Sequence, residues 1–213
     1  MTAAELLRRD FALIADRVPH GARVLDLGCG DGRLLELVRE ARDATVTGVE
    51  LDLDDIAACI ARDIPVIQAD LDAGLAGFPD DVFDCVILSQ TLQVVRKPAL
   101  VVREMLRVGA RGIVSFPNFG HWRVRSYLAL RGRMPVSRSI PYSWYETPNI
   151  HHTTIEDFRD FVRQNGGILA EEIPLRAADT QGRVVRVWPN LLADTEIAVI
   201  ERGVVSHEPD PTA

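Results

Sequence analysis

Val24-Leu25-Asp26-Leu27-Gly28-Cys29-Gly30-Asp31-Gly32 decides the fold of this chain. A short apolar run ends in an acid and then in a glycine-rich turn. A pattern with helical periodicity follows at once, from Asp31 to about Glu40. Strand, tight loop and helix in this order make the opening βα unit of an open α/β sheet. Glycines at 28, 30 and 32 let the backbone take dihedrals that side chains forbid and let a ligand come close. The free N–H groups at the start of the following helix face the same place.

The next units repeat the theme. Thr45 to Val49 reads as a second strand and ends at Glu50, 20 residues after Gly30. Ile64 to Asp70 reads as a third strand ending in an acid, and Phe83 to Ser89 as a fourth. Asp52 to Arg62 and Pro98 to Arg107 read as the helices between strands, and Gly112 to Phe116 as strand five. Strands separated by helical stretches imply right-handed crossovers and a mainly parallel sheet. Three successive strands thus each place a polar residue at the carboxyl edge, where open α/β sheets bind ligands. The dinucleotide fingerprint G-x-G-x-x-G is not met: the third glycine comes one position early, and Arg33 stands where it is needed.

Composition narrows the function classes. The 213 residues suit one domain, expected over 1–201, with a flexible, proline-containing tail over 202–213. No stretch approaches the ~20 apolar residues of a membrane span, and the first ten residues, an amphipathic helical pattern continuing from Ala3 to Arg17, lack a signal-peptide layout. The expectation is a cytoplasmic protein. The formal net charge of −7 disfavours a general nucleic-acid binder. Cys29, Cys59 and Cys85 sit in or beside apolar elements at no zinc spacing, so they read as small core residues, and no metal site is expected.

The composition changes after Phe116. Between Pro117 and Ile150 five arginines (Arg123, Arg125, Arg131, Arg133, Arg138) face one acid, Glu146, and six of the chain's 13 aromatics fall there. A basic, aromatic segment on an acidic protein reads as an insertion after strand five, either a partner surface or a lid. Thr153 or Thr154 caps a helix over Ile155 to Asn165. Ile168 to Ile173 and Thr195 to Glu201 read as the last strands, an antiparallel end to the sheet.

The glycine spacing, with Asp26 two residues before Gly28, resembles motif I of class I S-adenosylmethionine (SAM) methyltransferases. Three further runs are more specific: Leu88-Ser89-Gln90-Thr91-Leu92-Gln93, Ser115-Phe116-Pro117-Asn118-Phe119-Gly120-His121-Trp122, and Thr147-Pro148-Asn149-Ile150-His151-His152-Thr153-Thr154. Together with the glycine loop they resemble the methionine biosynthesis protein MetW family, over roughly residues 10 to 200. The resemblance implies a Rossmann-like class I methyltransferase fold with seven strands in the order 3-2-1-4-5-7-6. It implies SAM, or its demethylated product S-adenosylhomocysteine, as cofactor. Asp26, Gly28, Cys29, Gly30, Gly32, Glu50, Leu51, Asp70, Leu71 and Ser89 would bind it, Glu50 on the ribose hydroxyls and Asp70 near the adenine amino group. It also implies homoserine O-acyltransferase (MetX) as partner.

Chemistry beyond binding is unmarked. The D/N-P-P-Y/F run of amino-group methylases is replaced by Ser89-Gln90-Thr91-Leu92. His121, His151 and His152 are the candidate bases. Two functions remain: a SAM-binding subunit that supports or regulates the acyltransferase, or a methyltransferase acting on a small metabolite.

Overall fold

The computed structural model describes residues 10–137, 139–176 and 184–203. Residues 3–9 of the expected first helix and the tail from 204 onward lie outside this range. The elements run α1 (residues 10–15), β1 (Arg23–Leu27), α2 (Arg33–Arg42), β2 (Thr45–Glu50), α3 (Leu53–Ala61), β3 (Val66–Gln68), β4 (Cys85–Ser89) and α4 (Pro98–Val108). They continue with β5 (Arg111–Pro117), α5 (Trp122–Arg131), α6 (Ile155–Gln164), β6 (Gly167–Leu175), α7 (Pro189–Leu192) and β7 (Thr195–Arg202).

The strands form one sheet in the order β3-β2-β1-β4-β5-β7-β6. All pairs from β3 to β5 are parallel; β7 runs antiparallel to both β5 and β6. This is the order and direction that the resemblance implies.

Alternation along the strands explains why both faces are covered. Val24, Cys85, Ile87, Ile113 and Ile197 pack on one face with Ile14 of α1, Leu34, Leu35 and Val38 of α2 and Cys59 of α3. Their neighbours Leu25, Val86, Leu88, Val114 and Ala198 pack on the other face with Val101, Val102 and Met105 of α4 and Phe158 and Val162 of α6. A period of two sends successive side chains to opposite faces, so continuous apolar runs are what a doubly covered parallel sheet requires.

Two elements differ from the sequence expectation. β3 spans only Val66–Gln68, shorter than the expected Ile64 to Asp70. It lies at the sheet edge, and Asp70 leaves the ladder to cap a single 3-10 turn, Leu71–Ala73, where its carboxylate accepts the Asp72 N–H at 2.9 Å. The basic segment after β5 also contains a full helix, α5, that the sequence reading left unassigned. Only Val124 of α5 is buried, so the helix shows no apolar stripe. No helix among the described residues is long and apolar enough to cross a membrane.

Candidate functional site

The glycine loop begins where β1 ends. The Gly28 and Cys29 N–H groups both donate to the Val49 carbonyl of β2, at 2.8 and 3.1 Å, so the loop is tied to the neighbouring strand. Gly28 has φ +74°, and a Cβ there would lie 2.7 Å from the Thr91 methyl. Gly30 has φ +53°, and a Cβ there would meet nothing within 4 Å. The two glycines therefore serve different ends. Gly28 makes room for Thr91, whereas Gly30 leaves open space above the loop.

Glu50, at the end of β2, holds this arrangement together. One carboxylate oxygen accepts the Gly30 N–H at 2.9 Å; the other accepts the Leu51 and Asp52 N–H groups at 2.7 and 3.0 Å. A carboxylate offers about four lone-pair positions, so three donors leave it capacity for a ligand hydroxyl. Below it, Asp26 is almost completely buried, with Oδ1 unpartnered. Burial, with the nearby Glu50 charge second, pushes its pKa up to about 8.

A cavity of about 790 Å³ opens over these groups at the carboxyl edge of the sheet. Gly28, Glu50, Leu51, Asp70 and Leu71 of the expected site line it. Cys29, Gly30, Gly32, Asp26 and Ser89 are not among the lining residues. Cys29 is buried against Cys59, with the sulfurs 3.8 Å apart and burial pushing both thiols up. Gly32 is the N-cap of α2. Ser89 shares a hydrogen bond with Ser115 of β5 at 3.1 Å, so it joins two strands.

Sequence reasoning missed Thr91, Val94 and Val95 as lining residues. Thr91 stood inside a motif already singled out. What was missing was its packing on Gly28, 63 residues away, a contact with no local signal. Five carboxylates, on Glu50, Asp52, Asp54, Asp70 and Asp72, belong to the cavity wall, and no lysine, arginine or histidine among the described residues does.

The three specific sequence runs meet beside this cavity. Gln93, after β4, accepts the Ile150 and His151 N–H groups on its carbonyl at 2.9 and 3.1 Å. The Phe119 N–H donates to the Thr153 carbonyl at 2.9 Å, and the Phe119 ring stacks on His152 with centroids 4.5 Å apart. Asn118, fully buried, donates from its amide nitrogen to the Ala193 and Asn190 carbonyls and accepts the Gly120 N–H. His151, His152 and Leu92 border a smaller cavity of about 330 Å³ on the far side of the segment that carries Thr91.

The candidate bases differ in state. His151 has a buried, unpartnered Nε2, and His152 is stacked on Phe119. His121, the N-cap of α5, accepts the Arg123 N–H on Nδ1 at 3.3 Å. Burial, then Arg123 and Arg176, lowers its pKa to about 4. A neutral ring that accepts on Nδ1 carries its proton on Nε2. His121 lines neither of these two cavities.

Comparison with known proteins places this architecture. The fold is similar to that of a SAM-dependent methyltransferase, a possible histamine N-methyltransferase, from Thermotoga maritima: TM-score 0.68, 15% identity, 93% of this chain and 90% of that one. A ubiquinone biosynthesis O-methyltransferase of Ralstonia nicotianae is 34% identical over 130 residues, 57% of this chain and 53% of that protein. The bifunctional methionine biosynthesis protein MetXA/MetW of Rhodopirellula baltica is 37% identical over 205 residues, 92% of this chain but 33% of that protein. The chain thus spans about a third of one curated relative and about half of the other. Residues 8–200 match the family described as methionine biosynthesis protein MetW. The glycine loop, the three converging motifs and these matches agree: the chain belongs to the MetW family of methionine biosynthesis proteins and has its methyltransferase-like fold.

Proposed function

We propose that the chain binds SAM in the glycine-loop cavity and acts beside a homoserine O-acyltransferase, MetX, whose activity it supports or regulates. The observation that carries the partnership is the Rhodopirellula relative, in which a MetW part homologous to this chain is joined to a MetXA part in one polypeptide. Fusion holds two modules at high effective concentration, which a separate chain must achieve through a surface. The exposed Trp144, Tyr145 and Trp188 supply large aromatic side chains suited to that role.

The cofactor assignment rests on charge and shape. SAM carries a sulfonium and an ammonium against one carboxylate, a net positive charge, and the charged side chains named in the cavity wall are all carboxylates. Glu50 has acceptor capacity left for a ribose hydroxyl, Gly30 leaves the approach open, and Leu51 and Leu71 offer apolar surface to an adenine ring. When bound, SAM supplies an electrophilic methyl group. The residues around it bind and orient, and none of them is required to move a proton for binding.

The decisive experiment measures the rate of the purified homoserine acyltransferase alone, with this protein, and with this protein plus SAM. The expected result is a higher rate with the protein and a further change with SAM. An unchanged rate in both arms removes the accessory role.

The unpartnered Nε2 of His151 favours a second reading, methyl transfer to a small metabolite. Turnover of a metabolite extract that disappears in His151→Ala would support it.

A further inference from the structure

The five carboxylates in the wall of the glycine-loop cavity are left without counter-ions. Among the described residues, no arginine, lysine or histidine side chain forms an ion pair with Glu50, Asp52, Asp54, Asp70 or Asp72. Elsewhere the chain pairs its acids. Asp31, in the same loop but outside the cavity wall, lies 2.6 Å from the Arg33 guanidinium. Glu36, Asp84 and Glu104 each meet an arginine at 2.8 to 3.0 Å.

Backbone N–H groups hold most of the cavity carboxylates instead. Asp52 accepts from Asp54 and Asp55 at 2.9 and 3.2 Å, and Asp72 from Arg96 and Lys97 at 3.0 and 2.7 Å. Such donors favour the charged form but do not cancel its charge. Lys97 places its Nζ on the Asp72 carbonyl, at 3.0 Å, and offsets part of one charge of the five. Like charge accumulates as a result: the pKa of Asp55, in the first turn of α3, is raised by burial first and then by Glu50, Asp52, Asp31 and Asp54.

SAM and S-adenosylhomocysteine share their adenine, ribose and amino-acid groups. They differ by one methyl on sulfur, and with it by one positive charge: a sulfonium in SAM, a neutral thioether in the product. A wall of unpaired carboxylates acts on that difference. We propose that this cavity discriminates by charge and takes SAM in preference to S-adenosylhomocysteine. This preference rests on the reading that SAM binds here, and adds that the site responds to the methyl-loaded form rather than to the spent one.

Calorimetry on the full chain tests it with three probes: SAM, S-adenosylhomocysteine and sinefungin, which carries an amine in place of the S-methyl group and is cationic at neutral pH. At about 20 mM salt, SAM and sinefungin should each bind at least about tenfold more tightly than S-adenosylhomocysteine. The gap should narrow at about 500 mM salt, where the screening length falls from about 20 Å to about 4 Å. Asp54 is exposed, and its carboxylate has no hydrogen-bond or ion-pair partner among the described residues. Asp54→Asn should therefore cut the preference about threefold. Asp43→Asn makes the same change in net charge at the C-cap of α2, before the end of β2 opposite to Glu50, and should leave the preference unchanged. Binding of S-adenosylhomocysteine as tight as that of SAM overturns the discrimination and leaves the cofactor reading standing. Sinefungin as weak as S-adenosylhomocysteine, or a preference that neither salt nor Asp54→Asn moves, overturns it as well. An equal loss in Asp43→Asn would trace the preference to the charge of the whole chain and overturn the role of the wall. Failure of all three probes to bind below about 10 mM removes the cofactor reading itself, and this preference with it.

Discussion

The glycine-loop cavity takes its shape from backbone turns pinned to strands, and its wall is acidic. A second cavity, of about 660 Å³, takes its shape from side chains of α5, among them Arg123, Val124, Tyr127 and Arg131, and from Pro135 and Val136 after it, and its wall mixes basic, apolar and hydroxyl groups. Both open at the carboxyl edge of one sheet, on either side of β4 and β5. A backbone-built site depends on a few dihedral angles and fails abruptly when they are changed. A side-chain-built site is altered gradually, one donor at a time. The sheet also buries two carboxylates, Asp26 on β1 and Glu196 on β7.

The largest expected effect comes from Gly28→Val. A branched side chain at φ +74° is strained, and its Cβ would overlap Thr91 before any ligand arrived. Roughly 3–5 kcal/mol of destabilisation is expected, a large share of a typical domain's stability. The sequence alone suggested that this change would act by filling the ligand's space; the structure shows that Thr91 already occupies it. Thermal unfolding checks the point: a variant as stable as the wild type would break the claim that this site is held by the backbone.

The two buried carboxylates come next, through pH. Asp26 is raised to about 8 by burial and then Glu50. Glu196 is raised to about 8 by burial and then Glu172, with Arg159 opposing. In both cases the folded state holds the proton more tightly than the unfolded chain. Their contribution is fully present below about pH 4 and is lost as pH rises through about 8. Asp26→Asn and Glu196→Gln should therefore be near neutral at pH 4 and stabilising by on the order of a few kcal/mol at pH 9. Denaturant midpoints across this range would show it. A benefit confined to Glu196→Gln would mean that charged Asp26 is compensated in the glycine-loop half.

What could be read from the sequence follows the same division. The glycine loop and the strands of the parallel half were legible because glycine spacing and short apolar runs are local patterns; the sheet order came only with the family resemblance. Glu50 was legible as an acid at the carboxyl edge, where it lines the cavity, but not as the acceptor of three backbone N–H groups, because those bonds depend on the loop's return to β2. The helix α5 was not legible, since a helix with one buried residue has no periodic stripe. Without that helix, the cavity beside it could not be anticipated. His121 could be singled out as a histidine in a specific motif. Its burial and its role as a cap required the turn that Asn118 makes with α7 and the residue after it.

Glu50→Ala tests the acidic cavity more finely. It should weaken SAM by about 1–3 kcal/mol, the range for a lost buried hydrogen-bond partner, and lower stability as well, because three N–H groups lose their acceptor. Calorimetry with SAM and thermal unfolding should move together. Lost affinity with unchanged stability would show that the loop does not depend on Glu50.

Gly30→Ala has the smallest expected effect on the fold and separates the two roles of the loop. A methyl at Gly30 meets nothing within 4 Å, so its cost is the φ of +53° alone, about 1 kcal/mol. The same methyl projects into open space, and in the proposed binding mode SAM passes close to this backbone, although Gly30 itself is not part of the cavity wall. SAM affinity should fall by tenfold or more, about 1.4 kcal/mol, while thermal stability changes little. Gly28→Val and Gly30→Ala then form a pair in which one glycine keeps the fold and the other keeps the approach to it. Equal losses of stability would merge the two roles. Unchanged SAM affinity in Gly30→Ala would move the ligand away from the loop, and with it the contrast between a backbone-built cavity and a side-chain-built one.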